Sequence, residues 1–154
     1  MRKPIDIAPW IAGVPKEADV VVDSPRFTHV KRRDDGSIDF VSPVPCPFNY
    51  GSVRGTRAED GERVDAIVLG PRLPGGTQLT ASVVAVVRFV DAGQRDPKWV
   101  CARRPLTPRD GLELELFFQL YALAKRALNR ARGLGGPTRY EGLLTSELLP
   151  ERDG

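Results

Sequence analysis

At 154 residues, with 41% apolar and 28% charged side chains, the chain has the length and composition of one soluble globular domain that buries its own core; a disordered or fibrous protein is excluded. Its 23 Lys and Arg against 20 Asp and Glu leave a formal charge of +3, spread along the chain rather than gathered in a polybasic arm. Two cysteines without metal-ligand spacing and a single histidine argue against a zinc site, and no run reaches the ~18 apolar residues that span a bilayer.

The N-terminal Met1-Arg2-Lys3-Pro4 is basic, but no apolar signal segment follows it, so a cytoplasmic protein is expected. Cys46 and Cys101 are then expected as unpaired, buried thiols, a disulfide being the other arrangement. Ala18–Asp23 reads as a strand ended by Ser24-Pro25, and Phe27–Arg32 as a second. The turn Asp34–Ser37 leads to Ile38–Val41 and makes a hairpin. Residues 42–62, dense in Pro, Gly and Asn, read as a long functional loop.

Asp65–Leu69 is an apolar strand stopped by Gly70-Pro71, Ser82–Val90 is a valine-rich strand, and Lys98–Ala102 is a further one after the turn Asp91–Gln94. Thr107-Pro108 starts a helix in which Leu112, Leu116, Gln119, Leu120 and Leu123 recur at helical spacing, with Gly133 as its stop. Lys125, Arg126, Arg130 and Arg132 load its last turns and read as a solvated end favoured by the helix dipole. Thr145–Leu149 reads as a short last helix. Six or seven short strands and one long helix predict an α+β fold, mainly β: a small closed barrel with the helix packed against it, all in one domain over 1–154.

The carboxylates gather in two places, Glu59-Asp60-Gly61-Glu62-Arg63-Val64-Asp65 and Asp91-Ala92-Gly93-Gln94-Arg95-Asp96. Each pairs an aspartate with a second one five residues later, and each borders a valine-rich strand. Two such loops on neighbouring strands would aim Asp60, Asp65, Asp91 and Asp96, with Glu62, at one spot. Oxygen donors of this kind suit a hard divalent cation such as Mg²⁺, which binds through a few carboxylates, water and substrate phosphate.

Together with Asn49-Tyr50-Gly51 upstream, Lys98 two residues past Asp96, and Phe117-Phe118-Gln119-Leu120-Tyr121 on the helix, these segments resemble the signature regions of soluble (family I) inorganic pyrophosphatases in order and spacing. The resemblance implies a five-stranded OB-like barrel and magnesium-dependent hydrolysis of pyrophosphate or a related small phosphoanhydride. It implies that Asp60, Asp65 and Asp96 hold an activating metal and that Asp91 and Asp96 hold a further one. Glu62 stands where the family has its general base, and Lys98, Tyr50 and Tyr121 where it contacts phosphate. Asp23 stands where an active-site glutamate is usual. The resemblance also implies a homo-oligomer, with a hexamer as the bacterial arrangement.

Several family positions differ. An early lysine falls on Arg26 or, if the alignment slips by two, on Thr28; Arg26 is the candidate phosphate ligand in the first case. Ile38–Val41 contains no base, and the lysine after the helix tyrosine is replaced by Ala122, so a thinned phosphate clamp is expected, with Arg54, Arg63 and Arg95 as substitutes. The alternative reading is a weak or inactive relative that binds a phosphorylated ligand or nucleic acid on the barrel. Nucleic acid is not expected as a partner, because aromatic residues are only 7% of the chain and do not alternate with basic ones.

Overall fold

A computed structural model describes residues 6–33, 35–42 and 45–149; of Phe40 and Leu148 it describes the backbone alone. The basic N-terminus, Asp34 of the expected hairpin turn, and Pro43-Val44 of the expected loop lie outside these residues. The elements are α1 (Ala8–Ile11), β1 (Glu17–Ser24), β2 (Val30–Arg32), β3 (Ile38–Val41), β4 (Asn49–Val53), β5 (Asp65–Val68), β6 (Gln78–Asp91), β7 (Gln94–Arg95), β8 (Lys98–Ala102), α2 (Pro108–Ala131) and β9 (Arg139–Thr145), followed by a 3₁₀ turn at Ser146–Leu148.

Five strands close on themselves in the order β1-β4-β5-β8-β6, and the pairing of β6 with β1 completes the barrel. The β5–β8 pair is parallel and the other pairs are antiparallel. The 14-residue β6 is long enough to pair with four other strands, β1, β8, β7 and β9. This is the expected barrel, and α2 packs along it. A small separate sheet of β2 and β3 forms the expected hairpin.

Strand alternation divides the core in two. Ala66 and Val68 of β5, with Trp99 and Cys101 of β8, join Val20, Val53, Val83 and Trp10 in one apolar cluster. The intervening Ile67 and Val100 join Tyr50, Val87 and Phe89 in a second, against Leu114, Phe117, Phe118 and Tyr121 of α2. Both cysteines are buried and free, as expected, and burial pushes each thiol up to about 12. No helix among the described residues is long and apolar enough to cross a membrane.

Four local expectations are corrected. Asn49–Val53 is a central strand rather than loop, although its neighbours are prolines and glycines. Gly51 is the reason: it pairs with Val22, and a Cβ there would stand 1.9 Å from the Val21 carbonyl oxygen. Asn49 is fully buried and uses its whole amide, accepting from the Arg26 and Leu73 N–H groups and donating to the Val68 and Pro71 carbonyls. The segment after α2, for which no strand is expected, is a strand, β9, on the edge of β6, and the short last helix expected at Thr145–Leu149 follows it as a 3₁₀ turn at Ser146–Leu148. The expected second strand begins late, because Phe27 takes a left-handed backbone (φ 71°) that breaks the extended run.

The fourth correction concerns α2. Its start is the predicted one: Thr107 Oγ1 accepts from the Asp110 N–H, and the Asp110 carboxylate accepts in return from the Thr107 N–H. The leucine row that marks the helix in the sequence, however, faces outward, with Leu112, Leu116, Leu120 and Leu123 all about half exposed. The buried face is Leu114, Phe117, Phe118, Tyr121, Ala122, Lys125 and Asn129, because three aromatic rings bury more surface against the barrel than the leucines would.

Candidate active site

The loops at one end of the barrel enclose a cavity of about 160 Å³. Its wall carries Asp60 and Glu62 from the loop between β4 and β5, Asp65 from the start of β5, Asp91 from the end of β6, and Asp96 from the turn before β8. Asp23 of β1 and Asp39 of β3 complete the acidic side. The structure therefore brings Asp60, Glu62, Asp65, Asp91 and Asp96 of the two acidic loops, and Asp23, to one place.

The loops have local reasons for their shapes. Asp60 Oδ1 accepts from the Glu62 N–H at 2.9 Å, an Asx turn around Gly61. The second loop is a two-residue hairpin turn between β6 and β7 with positive φ at both Ala92 (49°) and Gly93 (84°). The Ala92 N–H donates to Thr138 Oγ1, and Asn129 Nδ2 donates to Asp91 Oδ1 at 2.6 Å, so α2 holds Asp91 in place.

Asp65 is the electrostatic centre. Its Oδ2 accepts from Lys98 Nζ at 2.7 Å, Lys31 Nζ at 3.1 Å and the Tyr50 hydroxyl at 3.1 Å. Burial opposes ionisation, but the two ammonium groups outweigh it and hold the Asp65 carboxyl well below the usual carboxylate range. Lys98 is fully buried and also bonds Asp96 Oδ2 at 2.7 Å. Asp96 shares that one ammonium with Asp65, and its carboxyl is shifted upward, first by burial and then by the Asp65 charge. Burial and the Asp65 charge push the Tyr50 hydroxyl well above its ordinary value, so it remains a donor.

The cavity is not short of cations. Lys31, Arg32, Arg33, Arg63 and Lys125 line it. Lys31 pairs with Asp39 at 3.2 Å and lies 4.9 Å over the Tyr50 ring. Lys125 is 4% exposed, 3.5 Å from Asp91 and 4.0 Å from Asp39. This corrects its reading as part of a solvated helix end: it lies on the same buried face of α2 as Tyr121, one turn further on. No base comes from Ile38–Val41, as the sequence indicates; the base comes from its partner strand, at Lys31.

The remaining candidates fall elsewhere. Arg26 stands outside the cavity, with Nη1 donating to the Gly70 carbonyl and its guanidinium over the Phe27 ring. Arg54 bonds Gln78 on the surface, and Arg95 pairs with Glu59. Lys98 lies behind Asp65 and Asp96 rather than on the cavity wall. Tyr121 is buried among Phe89, Phe117 and Phe118, and with Tyr50 and Lys31 it borders a small crevice beside the cavity.

Among the described residues no three carboxylates stand close enough to enclose a metal ion by themselves. The acidic donors are all carboxylate oxygens around a cavity of about 160 Å³, and this fits a hydrated hard cation held through one or two carboxylates at a time.

A family model for inorganic pyrophosphatase matches residues 20–130, which hold both acidic loops and nearly all of α2. The chain belongs to the inorganic pyrophosphatase family. It is 30% identical over 129 residues to a soluble inorganic pyrophosphatase of Oryza sativa subsp. indica, an alignment covering 71% of this chain and 60% of that protein. With an inorganic pyrophosphatase of Gluconobacter oxydans it shares 29% identity over 96 residues, 57% of this chain and 56% of the relative. The chain thus spans less than two thirds of both curated relatives. The crystal structure of an inorganic pyrophosphatase from Neisseria gonorrhoeae superposes with a TM-score of 0.65 at 24% identity, over 86% of this chain and 84% of that one, and so shares the fold.

Proposed function

We propose that the chain hydrolyses inorganic pyrophosphate to two phosphates with the help of Mg²⁺. The observation that carries this reading is the convergence of both acidic loops and five cationic side chains on one small cavity. Pyrophosphate is a compact polyanion; a cavity of this kind offers it cations directly and offers a metal its oxygen ligands.

Asp60, Asp65, Asp91 and Asp96 are the residues that would hold magnesium, which supplies charge neutralisation and a more acidic water. Glu62, at the exposed tip of the first loop, takes the proton from the attacking water. Water oxygen bonds to one phosphorus, the bridging P–O bond breaks, and the bridging oxygen leaves with the second phosphate. Lys31, Arg33, Arg63 and Lys125 hold phosphate oxygens, with the Tyr50 hydroxyl as a further donor. Lys98 orients Asp65 and Asp96 from behind. Lys31 and Lys125 supply the charges that the sequence suggests are missing, and this favours a working clamp over a merely binding relative.

The reading keeps a single domain, a cytoplasmic location and self-association, for which the outward row Leu112, Leu116, Leu120 and Leu123 offers apolar surface to a second copy. Phosphate release from pyrophosphate by the purified chain, with and without magnesium chloride, tests the activity. Release that needs magnesium supports it, and none in either condition refutes it.

A further inference from the structure

Among the described residues, Ser52 carries a buried hydroxyl on the cavity wall that bonds to nothing in the protein. It lies in β4, 4% exposed, and its Oγ has no hydrogen-bond partner. Buried polar groups are almost always paired, so an orphan calls for a reason. Gly51 holds β4 directly against the Val21 carbonyl, and Ser52 sits opposite Asp65 of β5, which in turn lies beside Lys98 of β8.

The donors gathered around Asp65, the partner of Ser52 across the ladder, are engaged elsewhere: Lys31, Lys98 and Tyr50 all donate to Asp65 Oδ2. Alternation along β4 puts Ser52 on the same face as Tyr50, and it lines the cavity in which Lys31, Arg63 and Lys125 offer cationic partners to a metal-bound anion.

We propose that Ser52 is a substrate-contacting residue whose hydroxyl donates to a phosphate oxygen of bound pyrophosphate. It is an uncharged donor among charged ones, and it gives direction where the lysines and arginines mainly give attraction. The inference rests on the pyrophosphate reading above and adds a residue to it. It has a consequence of unusual sign: removing an orphan hydroxyl relieves the unliganded protein, while the liganded protein loses a bond.

The experiment is a calorimetric titration with methylenediphosphonate, a non-hydrolysable P–C–P analogue, at fixed magnesium, beside unfolding midpoints measured without ligand. For Ser52→Ala we expect an unliganded midpoint equal to or above wild type and an affinity lower by about tenfold or more, the usual range for a hydrogen bond to a charged group. Ser52→Thr, which keeps the hydroxyl, regains most of the affinity. If Ser52→Ala binds within about twofold of wild type, the inference is overturned; a lowered unliganded midpoint with unchanged affinity overturns it too, by showing a structural hydroxyl. A wild-type protein that does not bind the analogue overturns the pyrophosphate reading itself, and this inference with it.

Discussion

Glu59 fastens the two acidic loops to each other through Arg95: its carboxylate accepts from the Arg95 backbone N–H at 2.8 Å and pairs with the guanidinium at 2.7 Å. The next residues along the chain are Asp60 on one side and Asp96 on the other, so the clip sets the spacing of two proposed metal ligands. Both side chains are 40–47% exposed, and an ion pair this open adds under about 1 kcal/mol to stability. Glu59→Gln should therefore leave the unfolding midpoint almost unchanged while raising, several-fold, the magnesium concentration that half-activates phosphate release. An unchanged half-activating concentration would show that the loops hold their spacing without the clip.

Asp65→Asn should do more than abolish turnover. Its carboxylate balances two ammonium groups, the buried Lys98 and the largely buried Lys31, and its removal leaves them facing each other with only Asp96 and Asp39 as partners. Breaking a buried pair in this way costs about 3 kcal/mol or more. Urea unfolding should show the variant folded but clearly less stable. A variant of wild-type stability would mean that Asp39 and Asp96 suffice to neutralise both lysines.

Substrate affinity should separate the cationic residues. Lys125→Met removes a charge from the cavity wall, and a charge-assisted bond of roughly 1.5–3 kcal/mol corresponds to a KM raised about ten- to a hundredfold. Arg54→Ala removes a surface contact to Gln78 and should leave KM alone. Arg26→Ala should likewise spare KM, since its guanidinium bonds Gly70 instead of facing the cavity. Equal effects of all three on KM would argue that phosphate binds outside the cavity.

The start of α2 gives a pH-dependent stability. The Arg104 guanidinium holds the Asp110 carboxyl well below the usual carboxylate range, and although burial opposes this, the Thr107 N–H adds to it. A depressed folded-state value means that the contribution is fully present above the unfolded value, about 4, and is lost as pH falls further. Asp110→Ala should cost about 1 kcal/mol at pH 7. Melting curves of variant and wild type should converge as the pH is lowered from 5 toward 2. A gap that stays constant over that range would assign the effect to packing alone.

The acidic loops are legible in the sequence because an aspartate pair five residues apart around a glycine is a local pattern, and the valine-rich strands beside them are local too. The cationic half of the cavity is not local. Lys31 reaches Asp65 only because the β2–β3 hairpin folds over the barrel end, and Lys125 turns inward only because aromatic Phe117, Phe118 and Tyr121 win the buried face of α2 from the leucines. Asn49–Val53 reads as loop by composition, and its strand character follows from a close approach at Gly51 that needs the partner strand to be seen. For β9, residues 139–145 follow a Gly-Gly-Pro break, and only the length of β6 gives them a place to pair.

On the proposed reading this cavity cleaves a phosphoanhydride with the help of a divalent cation. The most direct measurement is phosphate release from pyrophosphate at saturating magnesium by wild type, by wild type with excess chelator, and by Glu62→Gln. We predict steady turnover in the first case, none in the second, and a rate lower by at least about a hundredfold in the third, as expected for loss of a positioned general base. Absence of turnover in the first case, or release that neither chelator nor Glu62→Gln reduces, would contradict the account.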